Sequence, residues 1–303
     1  MEHFLGIDIG GTNVKCGLVS SEGELLEKTK YATTELQKEN STMESLVKVI
    51  GWELEKHSNV KKVGIGIPGT LSKDRNSTID LPNIPDLAHT NVMGTLKAAY
   101  PDIIFHMEND ANAAALGEFY FSKATMPDDF IFITLGTGVG GACIMDRKIF
   151  KGGNGNGLEI GHIIAGNGKT IENNIGKKGI LGMALTTLEG YKGKSVLSDM
   201  GSLNAKKVIK AAQEEDKLAM EIFHEVGKYL GEAIVSAVRL FDIHTIIIGG
   251  GVSKTFHLVE KSMYKKIYDF LSPYYTDDLR IRLASLRNEA GIIGAASLCF
   301  IED

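Results

Sequence analysis

Gly6-Ile7-Asp8-Ile9-Gly10-Gly11-Thr12-Asn13-Val14-Lys15-Cys16-Gly17-Leu18-Val19 reads as an apolar strand, a glycine turn and a second strand. The first strand is predicted over Phe4 to Ile9, and the second ends at the turn Ser20 to Glu24. The same device returns at Phe132-Ile133-Thr134-Leu135-Gly136-Thr137-Gly138-Val139-Gly140-Gly141-Ala142-Cys143-Ile144-Met145, followed by a turn at Asp146 and Arg147. An internal repeat of this kind predicts two α/β domains of similar topology facing each other. The alternative is that two glycine hairpins arose independently in one α/β chain.

Working outward, Leu46, Val49, Ile50 and Leu54 fall at helical spacing, and Val63 to Ile67 reads as a buried strand stopped by Pro68 and Gly69. Thr70 to His89 lacks periodicity and is expected to be a substrate loop. Ile103 to Met107 is a further strand, and a helix runs from Asn109 to about Phe121. Phe150 to Gly182 is rich in glycine and asparagine and is expected to be loops. Ala205 to Phe241 reads as two helices broken near Asp216, before the strand Thr245 to Ile248, a helix from His257 to Phe270, a strand near Ile281 to Ala284 and a small-residue helix Ala290 to Phe300. Residues 1–115 with 290–303 are expected to form the first domain and 116–289 the second.

Composition narrows the function. A chain of 303 residues, 43% of them hydrophobic, can supply a core to each domain. A net charge of -5 without a clustered Lys/Arg excess argues against a nucleic-acid partner. The absence of a basic leader and of a run of about 18 apolar residues predicts a cytoplasmic chain with no membrane partner. Cys16, Cys143 and Cys299 lie too far apart for a CxxC motif and are expected to be reduced core residues.

The glycine clusters mark the chemistry. In Asp8-Ile9-Gly10-Gly11-Thr12 the glycines let backbone N–H groups approach a phosphate, and Asp8 is placed to hold Mg²⁺ through water. Gly136-Thr137-Gly138 offers a second such nest with the Thr137 hydroxyl as an added donor. It is neither a Walker loop nor a dinucleotide fingerprint, because no Gly-Lys-Ser/Thr and no helix follow. Gly249-Gly250-Gly251, after a strand, would let an adenine or ribose lie flat on side-chain-free backbone. Glu108-Asn109-Asp110-Ala111-Asn112 stands at a strand-to-helix junction, where Asn and Asp are favoured as helix caps. Phosphoryl transfer to a hydroxyl also needs a carboxylate to accept its proton, and Asp110 meets that need if the junction opens to a ligand. Glu159 and His162 could bind vicinal sugar hydroxyls, or form a surface pair; Asn83, between Pro82 and Pro85, suits a polyol or an ordinary proline turn.

Asp8–Asn13, Gly64–Gly69, Pro82–Pro85, Glu108–Asn112, Leu135–Gly141, Gly157–His162, Ile246–Gly251 and Ala290–Ala296, in this order and spacing, resemble the motifs of the ROK family of repressors, open reading frames and sugar kinases. The resemblance covers essentially the whole chain. It implies an actin-like ATPase (ribonuclease H-like) fold, two α/β domains around a central cleft whose closure would exclude water. It further implies Asp110 as general base and Asn83, Asn109, Asp110, Glu159 and His162 as sugar ligands. Asp8, Gly10, Gly11, Thr12, Thr137, Gly138, Gly249, Gly250 and Gly251 would face Mg-ATP, and a homodimer is expected.

One departure stands out. Members of this family commonly carry CxCGxxGCLE after Gly-His, where the histidine and three cysteines bind zinc and the glutamate contacts sugar. Here Asn173, Ile175 and Ile180 replace the cysteines and Gly182 replaces the glutamate, so no structural zinc is expected, and Glu172 is the nearest acidic substitute. The expected activity is phosphorylation of the 6-hydroxyl of a hexose, glucose by default, with N-acetylmannosamine, allose and fructose as alternatives. A repressor would need a helix-turn-helix ahead of the phosphate turn, which here starts at Gly6. A sugar-binding regulator without catalysis is the remaining class, against which the retention of Asp110 and the three glycine turns argues.

Overall fold

The computed structural model describes residues 2–36, 41–199, 201–251 and 255–300. Strand β1 (His3–Ile9) pairs antiparallel with β2 (Asn13–Ser20), and β2 with β3 (Leu25–Ala32), so the first glycine turn closes a hairpin. Helices α1 (Thr33–Leu36) and α2 (Thr42–Lys56) lead to β4 (Lys62–Ile67), which lies parallel to β1. Strands β5 (Thr70–Leu71) and β6 (Thr78–Asp80) form a separate ribbon, and α3 (Val92–Ala99) follows. Strand β7 (Ile104–Asn109) lies parallel to β4 and runs directly into α4 (Asp110–Phe121). The sheet order is β3-β2-β1-β4-β7.

The second half begins with β8 (Phe130–Leu135), β9 (Val139–Met145) and β10 (Lys148–Ile149). After these come α5 (Ile171–Ile175), α6 (Lys177–Gly190), α7 (Ala205–Gln213) and α8 (Lys217–Phe241). The break between the last two falls where Asp216 caps α8, its carboxylate accepting from the Ala219 N–H at 3.0 Å. Strand β11 (Thr245–Gly249), α9 (Phe256–Phe270), α10 (Pro273–Thr276), β12 (Arg280–Leu283) and α11 (Ala290–Ser297) complete the chain. The second sheet runs β10-β9-β8-β11-β12, with β11 parallel to both β8 and β12. The order repeats that of the first sheet, so the similarity between the two glycine segments is a similarity of topology. By backbone contacts the chain divides into two compact units, Met1–Asp128 with Ala142–Leu158 and Ser285–Asp303, and Asp129–Gly141 with Glu159–Ala284.

Within the first unit, alternation along β1 serves two helical layers. Leu5, Ile7 and Ile9 pack with Leu46, Val49 and Ile50 of α2, all 2% exposed or less. Burying each such side chain contributes about 1.5–3 kcal/mol. On the other face Phe4 packs with Ile292, Ile293 and Ala296 of α11. That helix can sit close because Gly17, Gly6 and Gly64 are register partners across β2, β1 and β4 and form a flat floor. A side chain at Gly6 would run into the Ile292 carbonyl and one at Gly64 into the Ala295 carbonyl.

Two expectations need correcting. Thr70–His89 is not one loop: it carries β5, β6 and a turn of 3₁₀ helix at Pro85–Leu87, held by the buried side chains Leu71, Leu81, Ile84 and Leu87. Phe150–Gly182 holds α5 and the start of α6, whose Ile171, Ile175, Ile180 and Ala184 are buried at helical spacing behind the Thr170 cap.

Candidate active site

In the first unit the carboxyl ends of three parallel neighbours, β1, β4 and β7, lie side by side, which is where open α/β sheets bind ligands. At the first, the turn is closed by the Gly10 N–H donating to the Asn13 carbonyl at 2.9 Å. It is braced from outside by the Thr33 hydroxyl on the Gly10 carbonyl at 2.7 Å and the Thr33 N–H on the Thr12 carbonyl at 3.0 Å. Thr12 itself is exposed. Gly11 has no room for a side chain because a Cβ there would stand 2.9 Å from the Cβ of Asn83, so the Pro82–Pro85 turn is seated on the first glycine turn.

Asp8 is the cross-strand partner of Lys15, and their Oδ2 and Nζ are 2.5 Å apart. Sequence reading missed Lys15, although the hairpin register that pairs the two residues was its signal. Gly291 of α11 lies against the same carboxylate: a Cβ there would be 2.5 Å from Oδ2. Magnesium takes one or two carboxylates and keeps several waters. A single carboxylate with an ammonium beside it fits an ion that arrives on phosphate oxygens and is held through water. It does not fit a cage of protein ligands, and among the described residues no group of three His, Cys, Asp or Glu is placed to make one.

At the third strand end, Asn109 caps α4, its Oδ1 accepting from the N–H groups of Ala111 at 2.9 Å and Asn112 at 3.3 Å, while Nδ2 donates to the Gly69 carbonyl at 3.2 Å. The capping reading thus applies to Asn109, whose amide is engaged at both ends. Asp110 is the first residue of the helix, half-buried, with Oδ1 accepting from the Ala111 N–H at 2.8 Å.

The second unit holds the remaining residues. The Gly136 N–H donates to the Gly138 carbonyl at 2.9 Å, and the Val139 N–H donates to Glu172 Oε2 at 2.9 Å. Lys177, at the start of α6, donates its N–H to the Thr137 carbonyl at 3.1 Å and its Nζ to the Thr137 hydroxyl at 3.3 Å. The turn is therefore braced by an acidic and a basic residue that pattern reading did not connect to it. Gly161 packs on the Val139 carbonyl, which seats the Glu159–His162 turn beside the same loop. Glu159 Oε2 and His162 Nδ1 are 3.6 Å apart, with side chains 47% and 67% exposed and so open to a ligand. Gly249 ends β11, and Gly250, at φ 83°, lies on the Leu135 backbone, so its lack of a side chain is a packing requirement. Nothing stands within 4 Å of a Cβ built at Gly251.

At the zinc-motif positions, Ile175 and Ile180 are 1% and 0% exposed, so apolar packing fills the space, and Asn173 is exposed. Gly182 is exposed, with nothing within 4 Å of a Cβ built there. Glu172 is engaged with the glycine turn.

The ROK family profile matches residues 4–301. The glucokinase of Thermotoga maritima is 30% identical over 97% of this chain and 96% of its own length. The crystal structure of a candidate sugar kinase from Cytophaga hutchinsonii superposes with a TM-score of 0.91 at 39% identity, covering 99% of this chain and 100% of that one. A ROK family glucokinase from Streptomyces griseus, in complex with glucose and AMPPNP, gives 0.80 at 30% identity over 98% of both chains. The xylose repressor of Caldicellulosiruptor bescii is also similar, at 24% identity over 97% of this chain and 77% of its own. The chain has the actin-like ATPase fold of these structures.

Proposed function

The chain belongs to the ROK family, and we propose that it transfers the γ-phosphoryl group of ATP to the 6-hydroxyl of a hexose, with Asp110 as base. The observation that carries this reading is the place of Asp110 at the first turn of α4, on the strand end that shares a sheet with the Asp8–Thr12 phosphate turn. Glucokinase relatives at 30% identity support a sugar kinase. The AMPPNP and glucose bound by the Streptomyces griseus enzyme support ATP as donor and glucose as the default acceptor.

In the proposed step Asp110 takes the proton of the sugar hydroxyl as its oxygen bonds to the γ-phosphorus, and the bond to the β,γ-bridging oxygen breaks to release ADP. Asn83, Glu159 and His162 would orient the sugar. Asn109 would add only a shared contact, since its amide already caps α4 and binds Gly69. Gly10, Gly11 and Thr12, with Thr137, Gly138 and Gly249–Gly251, would hold the nucleotide. Magnesium bound through Asp8 would supply charge neutralisation on the phosphates. N-acetylmannosamine, allose and fructose are the alternative acceptors. The assembly we expect is a homodimer in the cytoplasm, which light scattering tests for the oligomer.

The xylose repressor relative favours one second reading, a sugar-binding regulator without catalysis. ADP release from Mg-ATP across glucose, mannose, fructose, allose, N-acetylglucosamine and N-acetylmannosamine separates the two, with Asp110→Asn as control. A sugar-dependent rate that drops about 100-fold or more in the control supports the kinase. Silence across the panel favours the regulator.

A further inference from the structure

In the first unit one buried carboxylate ties two loops to the strand end that bears Asp110. Glu108 is 2% exposed and Arg75 8%. Glu108 Oε2 accepts from Arg75 Nε at 2.9 Å and lies 3.6 Å from Lys151 Nζ. Its Oε1 accepts from the Asn109 N–H at 2.9 Å and from Asn112 Nδ2 at 3.2 Å. The same guanidinium donates through Nη1 to the Ser72 carbonyl at 3.1 Å and through Nη2 to the Gly155 carbonyl. Beside it the Asn156 amide pairs with the Leu71 backbone, accepting from its N–H at 3.1 Å and donating to its carbonyl at 2.9 Å. Arg75 does this from φ 59°, a conformation that side-chain-bearing residues adopt rarely and that a surrounding structure must impose.

A buried ion pair adds little net stability, because desolvation offsets the attraction, and the space could be filled as well by apolar side chains. What the pair does supply is direction: a planar guanidinium fixes three partners at once. Here those partners are the Ser72–Arg75 turn, the loop at Gly155, and a carboxylate whose other oxygen holds the residue before Asp110 and the first turn of α4.

We infer that Arg75 and Glu108 are positioning residues for phosphoryl transfer, which lock the Ser72–Arg75 and Lys151–Asn156 segments to the junction that aims Asp110. This rests on the kinase reading for its activity readout, and the experiment therefore carries a second one. Arg75→Lys keeps a cation beside Glu108 but loses the fork. Glu108→Gln keeps the acceptor for the Asn109 N–H but loses the charge. Asn156→Ala frees the loop without touching a buried charge, and so tests the coupling even where the other two fold poorly. Each is measured for kcat, for KM toward ATP and sugar, and for amide hydrogen exchange.

The expected result for Arg75→Lys and Glu108→Gln is a loss of kcat of about 10- to 100-fold with KM for ATP within about twofold, since misplacing a reacting group by about 1 Å costs that much. Asn156→Ala shows the same pattern with a smaller loss. In all three, exchange rises together at residues 151–157 and 109–112. Unchanged kcat in folded variants, or exchange that rises at 151–157 alone, overturns the inference. If wild type releases no ADP with any sugar, the kinase reading fails, and the exchange result still decides whether the two segments are coupled.

Discussion

Glu172 accepts a hydrogen bond from the Val139 N–H at 2.9 Å, so a carboxylate on α5 fixes the backbone of the second glycine turn. Gly138 is glycine for the same reason, because a Cβ there would overlap that carboxylate. Removing the side chain by Glu172→Ala leaves a backbone donor without its charged acceptor, an interaction worth about 1.5–3 kcal/mol. If the turn holds nucleotide, KM for ATP rises about tenfold or more while KM for sugar changes much less. Steady-state kinetics with each substrate varied in turn checks this, and an equal rise in both KM values would remove the turn from the nucleotide side.

The turn that presents Arg75 gives a titration prediction. The Asp74 carboxylate accepts from the Ser72 hydroxyl at 2.6 Å, from Asn76 Nδ2 at 2.7 Å and from the Asn76 N–H at 3.1 Å. These bonds, the Ser72 hydroxyl foremost, lower its pKa to about 2. The folded value lies below that of an unfolded Asp, about 3.9, so the unfolded chain binds the proton more tightly. The contribution is fully present above about pH 4 and is lost as pH falls through about 2. Carboxyl ¹³C NMR should find the Asp74 midpoint near 2, and Ser72→Ala should raise it. A wild-type midpoint near 4 would show that the turn does not persist in solution.

Much of the fold was legible because its signals are local. The Phe4–Ile9 run, the Val63–Ile67 strand and the Asp216 break are each written in a few adjacent residues, and the structure places elements there. The Ile171, Ile175, Ile180 and Ala184 spacing was just as local, but the interleaved Asn and Gly residues weighed toward loop, and packing overrode propensity. The candidate site was legible only where one residue type announces a chemistry, as Asp110 and the glycine turns do. Arg75 and Glu172 act on Glu108 and Val139 across 33 residues of sequence each, and no periodicity connects partners that a sheet and two loops bring together.

The thiols give a prediction about access. Cys16, Cys143 and Cys299 are all buried. Burial pushes the Cys299 thiol up to about 12, and it pushes Cys16 higher still, with the Glu53 and Asp8 carboxylates adding to the effect. At Cys16 and Cys299 thiolate, the reactive form, is therefore scarce as well as hidden, and Cys143 is hidden by burial. An aromatic disulfide reagent at about pH 8 should leave the native protein unlabelled over the time in which all three cysteines react in denaturant. A thiol that reacts promptly in the native protein would mean that its surroundings open in solution.

The same substitution should have opposite signs at two glycines. Gly64 lies under α11 in β4, and its missing Cβ is what lets the Ala295 carbonyl sit on the sheet. Gly64→Ala forces two backbones apart where neither has a flexible end, so the cost should reach or exceed the upper part of the range for overpacking, about 3 kcal/mol. Gly182 is inside α6, exposed, and nothing lies within 4 Å of a Cβ built there. Gly182→Ala removes the excess freedom of glycine in the unfolded chain and should stabilise by about 0.5–1 kcal/mol. Urea unfolding of the two variants beside wild type measures both. A tolerated Gly64→Ala would mean that α11 does not rest on the glycine floor. A destabilising Gly182→Ala would mean that the exposed face of α6 is covered in solution, which would make a partner at that face the next thing to look for.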